Sequence, residues 1–186
     1  MKKLALTLML VFVMASAAAA TFQISVNGQM NPPELVLLMP SDTTTLGIWT
    51  DADIPMNTYP QSMVLIASIY DGTLSGGVGL NPYGSVSAVY YPASEAVTGL
   101  PEGQNGGVFT VASMDDPIPG GTTLFNEILF HHESPGDAIV TLAGIDEEWN
   151  YTGEIYDQVI FYDVPEPATL LLLGLGSLAL LRKRRK

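Results

Sequence analysis

Cysteine is absent from all 186 residues. That excludes disulfides, thiolate metal sites and a cysteine nucleophile, and leaves the fold to be held by its apolar core. Basic residues are almost as scarce. The seven are Lys2, Lys3 and the unbroken Arg182-Lys-Arg-Arg-Lys186, so residues 21–163 contain none. Nineteen acids in the whole chain, less Glu166, leave eighteen in that stretch, a formal charge near −18. Binding to duplex nucleic acid rests on cationic side chains that neutralise phosphates, so nucleic acid is excluded as a partner. Such a surface repels anionic polymers and attracts divalent cations or basic proteins.

Catalytic patterns are missing as well. His131 and His132 are the only histidines, and adjacent strand residues point to opposite faces, so they do not form a zinc pair within a strand. No His-Glu-x-x-His or Gly-x-Ser-x-Gly motif occurs. The glycine-rich Thr73-Leu-Ser-Gly-Gly-Val-Gly79 lacks the Lys-Ser/Thr of a phosphate loop and reads as a turn or bulge. Acid pairs abound, but carboxylate catalysis needs a cleft spacing that eighteen scattered acids do not specify. The chain is read as non-enzymatic.

What is present is concentrated first at the ends. Met1-Lys-Lys, an apolar run from Leu4 to Met14 and the small-residue stretch Ala15–Ala20 have the layout of a cleavable secretory signal peptide, 1–20. At the other end, Val164-Pro-Glu-Pro167 precedes fourteen uncharged, Leu-rich residues, 168–181, and then the basic block 182–186. Pro165 and Pro167 hold the start of this segment out of helical geometry. The run would rise roughly 21 Å as a helix, short against a hydrocarbon core of about 30 Å, yet it has no polar face. It is read as a short transmembrane helix with a cytoplasmic basic end.

The segment 164–186 resembles the PEP-CTERM sorting signal of exported bacterial proteins, carried here by Pro165, Glu166 and Pro167, the apolar run, and Arg182, Lys183, Arg184, Arg185 and Lys186. The resemblance implies processing by an exosortase, a membrane-embedded cysteine transpeptidase; signal peptidase is the partner expected at the other end. It implies residence first in the membrane or envelope, then at the cell surface or in the extracellular matrix. It covers 23 residues and says nothing of residues 21–163.

That stretch reads as one all-β, sandwich-like domain. Short clusters of Val, Ile, Leu, Phe and Tyr alternate with Gly, Pro and Asp breaks, and no sustained amphipathic helix separates them. Expected strands are 21–26, 34–39, 46–50, 62–70, 84–91, 108–114, 124–132, 138–142 and 157–162. Loops are expected at 42–45 and 92–107, the latter with at most one helical turn near Ala93. In general form the domain resembles cohesin-like and other carbohydrate-associated sandwich modules, a likeness of architecture that carries no binding residue with it.

Two residue sets are candidate sites. Asp51, Asp53, Asp115 and Asp116 could offer hard oxygens to a weakly held calcium ion, although their spacing is not that of a twelve-residue calcium loop. Trp49 and Trp149 could form a platform for a sugar or a protein. Asn150-Tyr-Thr152 has the form of a glycosylation sequon, to which little weight attaches in a bacterial chain. The function expected is therefore structural or interactive, in the cell envelope or matrix, with matrix proteins or polysaccharide as partners. The alternative is a carbohydrate-binding or calcium-dependent adhesion module; a secreted carboxylate hydrolase comes third.

Overall fold

A computed structural model describes residues 22–33, 36–56, 60–80, 86–113 and 116–163. The signal-peptide expectation for 1–20, the sorting tail 164–186 and Asp115 lie outside the described residues. Among the described residues no helix is long and apolar enough to cross a membrane.

The domain is all-β. Its strands are β1 Phe22–Val26, β2 Val36–Leu38, β3 Thr43–Thr50, β4 Gln61–Ser68, β5 Gly72–Gly79, β6 Val86–Tyr90, β7 Gln104–Ala112, β8 Thr123–His132, β9 Ala138–Ile145 and β10 Tyr151–Asp163, with a 3-10 turn at Ala93–Glu95. They form two sheets, ordered β1-β3-β8-β5 and β2-β10-β9-β4-β7-β6. All pairings are antiparallel except β2 with β10.

Alternation explains the core. Along β4, Met63, Leu65 and Ala67 face the inter-sheet core, where Phe109, Phe125, Phe130 and Phe161 are fully buried. Val64 and Ile66 point the other way, into a second cluster with Val108, Ala143 and Ile145. That outer cluster is roofed by Ala93, Val97 and Leu100, and the roof is stitched down by Thr98 N–H to Trp149 O (3.0 Å) and Tyr151 N–H to Thr98 O (2.9 Å). β4 reads as an unbroken apolar run because both its faces are covered.

Several boundaries differ from expectation. Residues 43–45, expected as loop, begin β3, because Thr43, Thr44 and Thr45 pair with His131, Phe130 and Leu129. The glycine-rich 72–79 is an edge strand on β8 instead of a turn. Its Gly76 and Gly77 have φ of +74° and +103°, and Glu127 opposite has φ +55°, so the expected irregularity is a kink inside a strand. β7 begins four residues early, at Gln104, because Gly106 and Gly107 allow close packing, and β10 begins six residues early, with two register shifts before Asp157.

The sheet edges are managed locally. Ile24 N–H on the free edge of β1 donates to Asp157 Oδ2 across the sandwich seam (2.8 Å). The backbone kink in β5 interrupts the other edge of the same sheet, a device that hinders edge-to-edge pairing.

Candidate functional site

The outer face of the six-stranded sheet is only half roofed. Where the roof ends, at Pro101, a groove of about 330 Å³ opens over Ile66, Ile139 and Thr141, with Tyr151, Ile155 and Gln158 on its β10 side. Gln158 Nε2 donates to Thr141 Oγ1 (2.8 Å), which fixes a polar pair beside two half-exposed isoleucines, Ile139 and Ile155. Asp71 and Asp137 stand at its margin. The two register shifts of β10 re-aim Tyr151 and Ile155 over the groove. A shallow surface with apolar floor, one phenol and a few amide and hydroxyl groups suits contact with another polymer chain.

The loop at the start of β10 is built by one carboxylate. Asp146 Oδ1 accepts from Glu148 N–H (2.9 Å) and Asn150 N–H (2.8 Å), while Asn150 Nδ2 donates to Oδ2 (2.9 Å). The side-chain hydrogen bond from Asn150, then the backbone bonds of Asn150 and Glu148, hold its carboxyl below the ordinary range. A depressed folded pKa contributes stability that is present above the unfolded value of about 3.9 and is lost as pH falls through the folded value. In an acid titration followed by NMR, the Asp146 carboxyl should protonate below a solvated aspartate. Asp146→Ala should remove the slow exchange of the Glu148 and Asn150 amides; unchanged exchange would show that the backbone holds the loop alone.

The sequence-expected residues fall in different places. Trp49 is 6% exposed and its Nε1 is buried without a partner, so it offers no platform. Trp149, at φ +62°, packs against the outer cluster under the turn that Asp146 organises. Tyr151, two residues on, is the aromatic at the groove. Sequence reasoning missed it, although its alternation with Gly153 and Ile155 was a signal.

The acidic loops do meet. Ile54 and Ile118 exchange backbone hydrogen bonds of 2.8 and 2.9 Å, and Asp53 Oδ1 accepts from Gly120 N–H (2.7 Å). Asp51 Oδ2 lies 3.4 Å from Gln23 Nε2. Asp116 O accepts from Ser113 Oγ. Among the described residues, no group of three or more His, Cys, Asp or Glu is placed to hold a metal ion. His131 and His132 part as strand geometry requires: His131 Nδ1 lies 3.0 Å from Thr43 Oγ1, whereas His132 is fully buried, stacked on Phe130 at 6.3 Å.

Comparison with known proteins locates two likenesses. Residues 163–186 match the PEP-CTERM protein-sorting motif. No curated protein matches the chain. Among solved structures, the sixth cohesin of scaffoldin B from Acetivibrio cellulolyticus, solved with a Cel5 dockerin mutant, is 10% identical over 79% of this chain and 100% of its own, with a TM-score of 0.46. The cohesin module of a family 33 glycoside hydrolase from Clostridium perfringens is 10% identical over 78% and 98%, with a TM-score of 0.47. A non-cellulosomal cohesin from Archaeoglobus fulgidus is 14% identical over 82% and 96%, with a TM-score of 0.39. No binding residue is carried over from them.

Proposed function

We propose, from a chain that carries a PEP-CTERM protein-sorting motif at residues 163–186, that this is an exported envelope protein whose β domain acts as a non-catalytic interaction module. The observation that supports the interaction reading is the half-roofed outer sheet face, where Ile139, Ile155 and Tyr151 line a groove beside the part that Ala93, Val97 and Leu100 cover. Its partner is a protein of the envelope or matrix, docked on the apolar groove, with the acids at the margin selecting a basic rim. Signal peptidase and an exosortase-type enzyme act on the two ends before the domain reaches the cell surface or matrix.

A photo-crosslinking residue at Ile155 in secreting cells should give a discrete adduct with one protein, and the same residue at Leu129, half-exposed on the other sheet, should not. Equal labelling from both positions would remove the groove as the interface. The carbohydrate reading predicts instead that migration is retarded in gels containing neutral polysaccharide and restored by Tyr151→Ala.

Calcium is a separate proposal, supported by the docking of the Asp51–Asp53 loop onto the loop that carries Asp116. Millimolar calcium should raise the Tm of the full chain, and Asp51→Asn with Asp116→Asn should cancel the rise. A flat Tm in the parent chain would eliminate it.

A further inference from the structure

The end of the domain from which the sorting tail departs is unlike a plain acidic surface. β10 ends at Asp163, and the apolar run begins at Ala168. Five peptide steps span at most about 17 Å in any conformation. Bilayer headgroups occupy roughly 5–8 Å on each side of the hydrocarbon core. While the tail sits in the membrane, as the proposed function has it, Asp163 is therefore within about 10 Å of the headgroup surface. An apolar run shorter than the core pulls it closer still.

Two exposed apolar tips flank that exit. On one side β2 pairs Leu38 with Asp163, and Leu37 and Met39 beside it are 59% and 38% exposed. On the other, Ala67 is in register with Val140 and Val140 with Val159, which puts Ile69 level with Phe161 and Tyr70 level with Tyr162. Ile69 and Tyr70 are 50% and 72% exposed. With strands about 4.8 Å apart, β2 lies one spacing and β4 two spacings from the departing chain.

Both tips are held by the fold. Ile69 N–H donates to Gly103 O (2.8 Å), Asp71 N–H to Ser68 O (3.1 Å), and Ser134 Oγ to Tyr70 O. Asp42 N–H donates to Met39 O (3.1 Å). A tyrosine with aliphatic neighbours, presented at headgroup level, is the chemistry that favours a membrane–water boundary.

We propose that this pole, with Leu37, Met39, Ile69 and Tyr70 as its contacts, rests on the lipid interface while the tail is inserted. The surface it takes is a zwitterionic bilayer. Asp42, Asp71, Glu133, Asp137 and Asp163 lie in the same loops and strand ends with no cation among residues 21–163, so anionic lipid loosens the contact. The inference rests on the membrane reading of the tail.

The absence of cysteine makes the test clean. Single-cysteine full chains, Tyr70→Cys, Met39→Cys and, at the opposite end, Met56→Cys, are spin-labelled and reconstituted in phosphatidylcholine vesicles. A relaxing agent attached to lipid headgroups should speed relaxation of the labels at positions 70 and 39 at least threefold over that at 56. Replacing half the lipid by phosphatidylglycerol should shrink the difference. Equal relaxation at all three positions in chains that float with the vesicles would overturn the proposal. Chains that do not float would overturn it together with the tail reading, so the two failures are distinguishable.

Discussion

Gly106→Ala should cost the fold about 4 kcal/mol or more, read as a fall in the urea midpoint at constant slope. A Cβ at this position would lie 1.9 Å from Leu65 O, 2.9 Å from Leu65 C and 3.0 Å from Ile66 Cα. All three atoms are backbone of the neighbouring β4, so no side-chain rotation relieves the overlap. Overpacking where side chains can shift costs about 1–3 kcal/mol, and here a central ladder must part instead. Domains have about 5–15 kcal/mol in total, so this single methyl removes a large share. A loss below 1 kcal/mol would mean that β7 can slide on β4 without consequence for the rest of the sheet.

Phe109→Ala is the second large effect, expected at about 3–5 kcal/mol. Phe109 of the six-stranded sheet meets Phe125 of the other sheet edge-on, with centroids 5.0 Å apart at 72°. It also meets Tyr91 at 6.0 Å and 89°. It is one of the rings that join the two sheets, as Phe130 on Phe161 does elsewhere, and it also holds Tyr91 against the inter-sheet core. Burial raises the Tyr91 hydroxyl pKa, and that hydroxyl has no partner, so water admitted beside it when Phe109 is removed would offset a part of the loss. A double-mutant cycle of Phe109→Leu with Phe125→Leu should give a coupling of about 0.5–1.5 kcal/mol. Additive losses would show that the rings contribute by area alone.

Much of this architecture is written locally in the chain. β4 stands out because Met63, Val64, Leu65, Ile66 and Ala67 are all apolar, and β8 and β9 stand out by composition within the same breaks that end them. β5 is not legible, because its glycines serve a kink that only β8 opposite explains. Trp49 beside Asp51 suggests a surface, yet it is buried, which neighbouring residues in the chain do not announce. The groove is the least legible feature. It requires Pro101, Ile139 and Ile155 to converge, and the shifts that aim β10 depend on which residues of β9 it pairs with. The tail motif needs no tertiary context and is readable from residue order alone.

β10 has a mechanical consequence. Its thirteen residues run the length of the sheet, with β9 antiparallel on one side and β2 parallel at its end. Tension applied at Asp163 along the axis of β10 acts at right angles to the ladder bonds. Load is thus shared across many bonds in shear instead of opening them one after another. With the tail anchored as proposed, drag on the domain would fall on the longest of the described strands, in the geometry that resists unzipping.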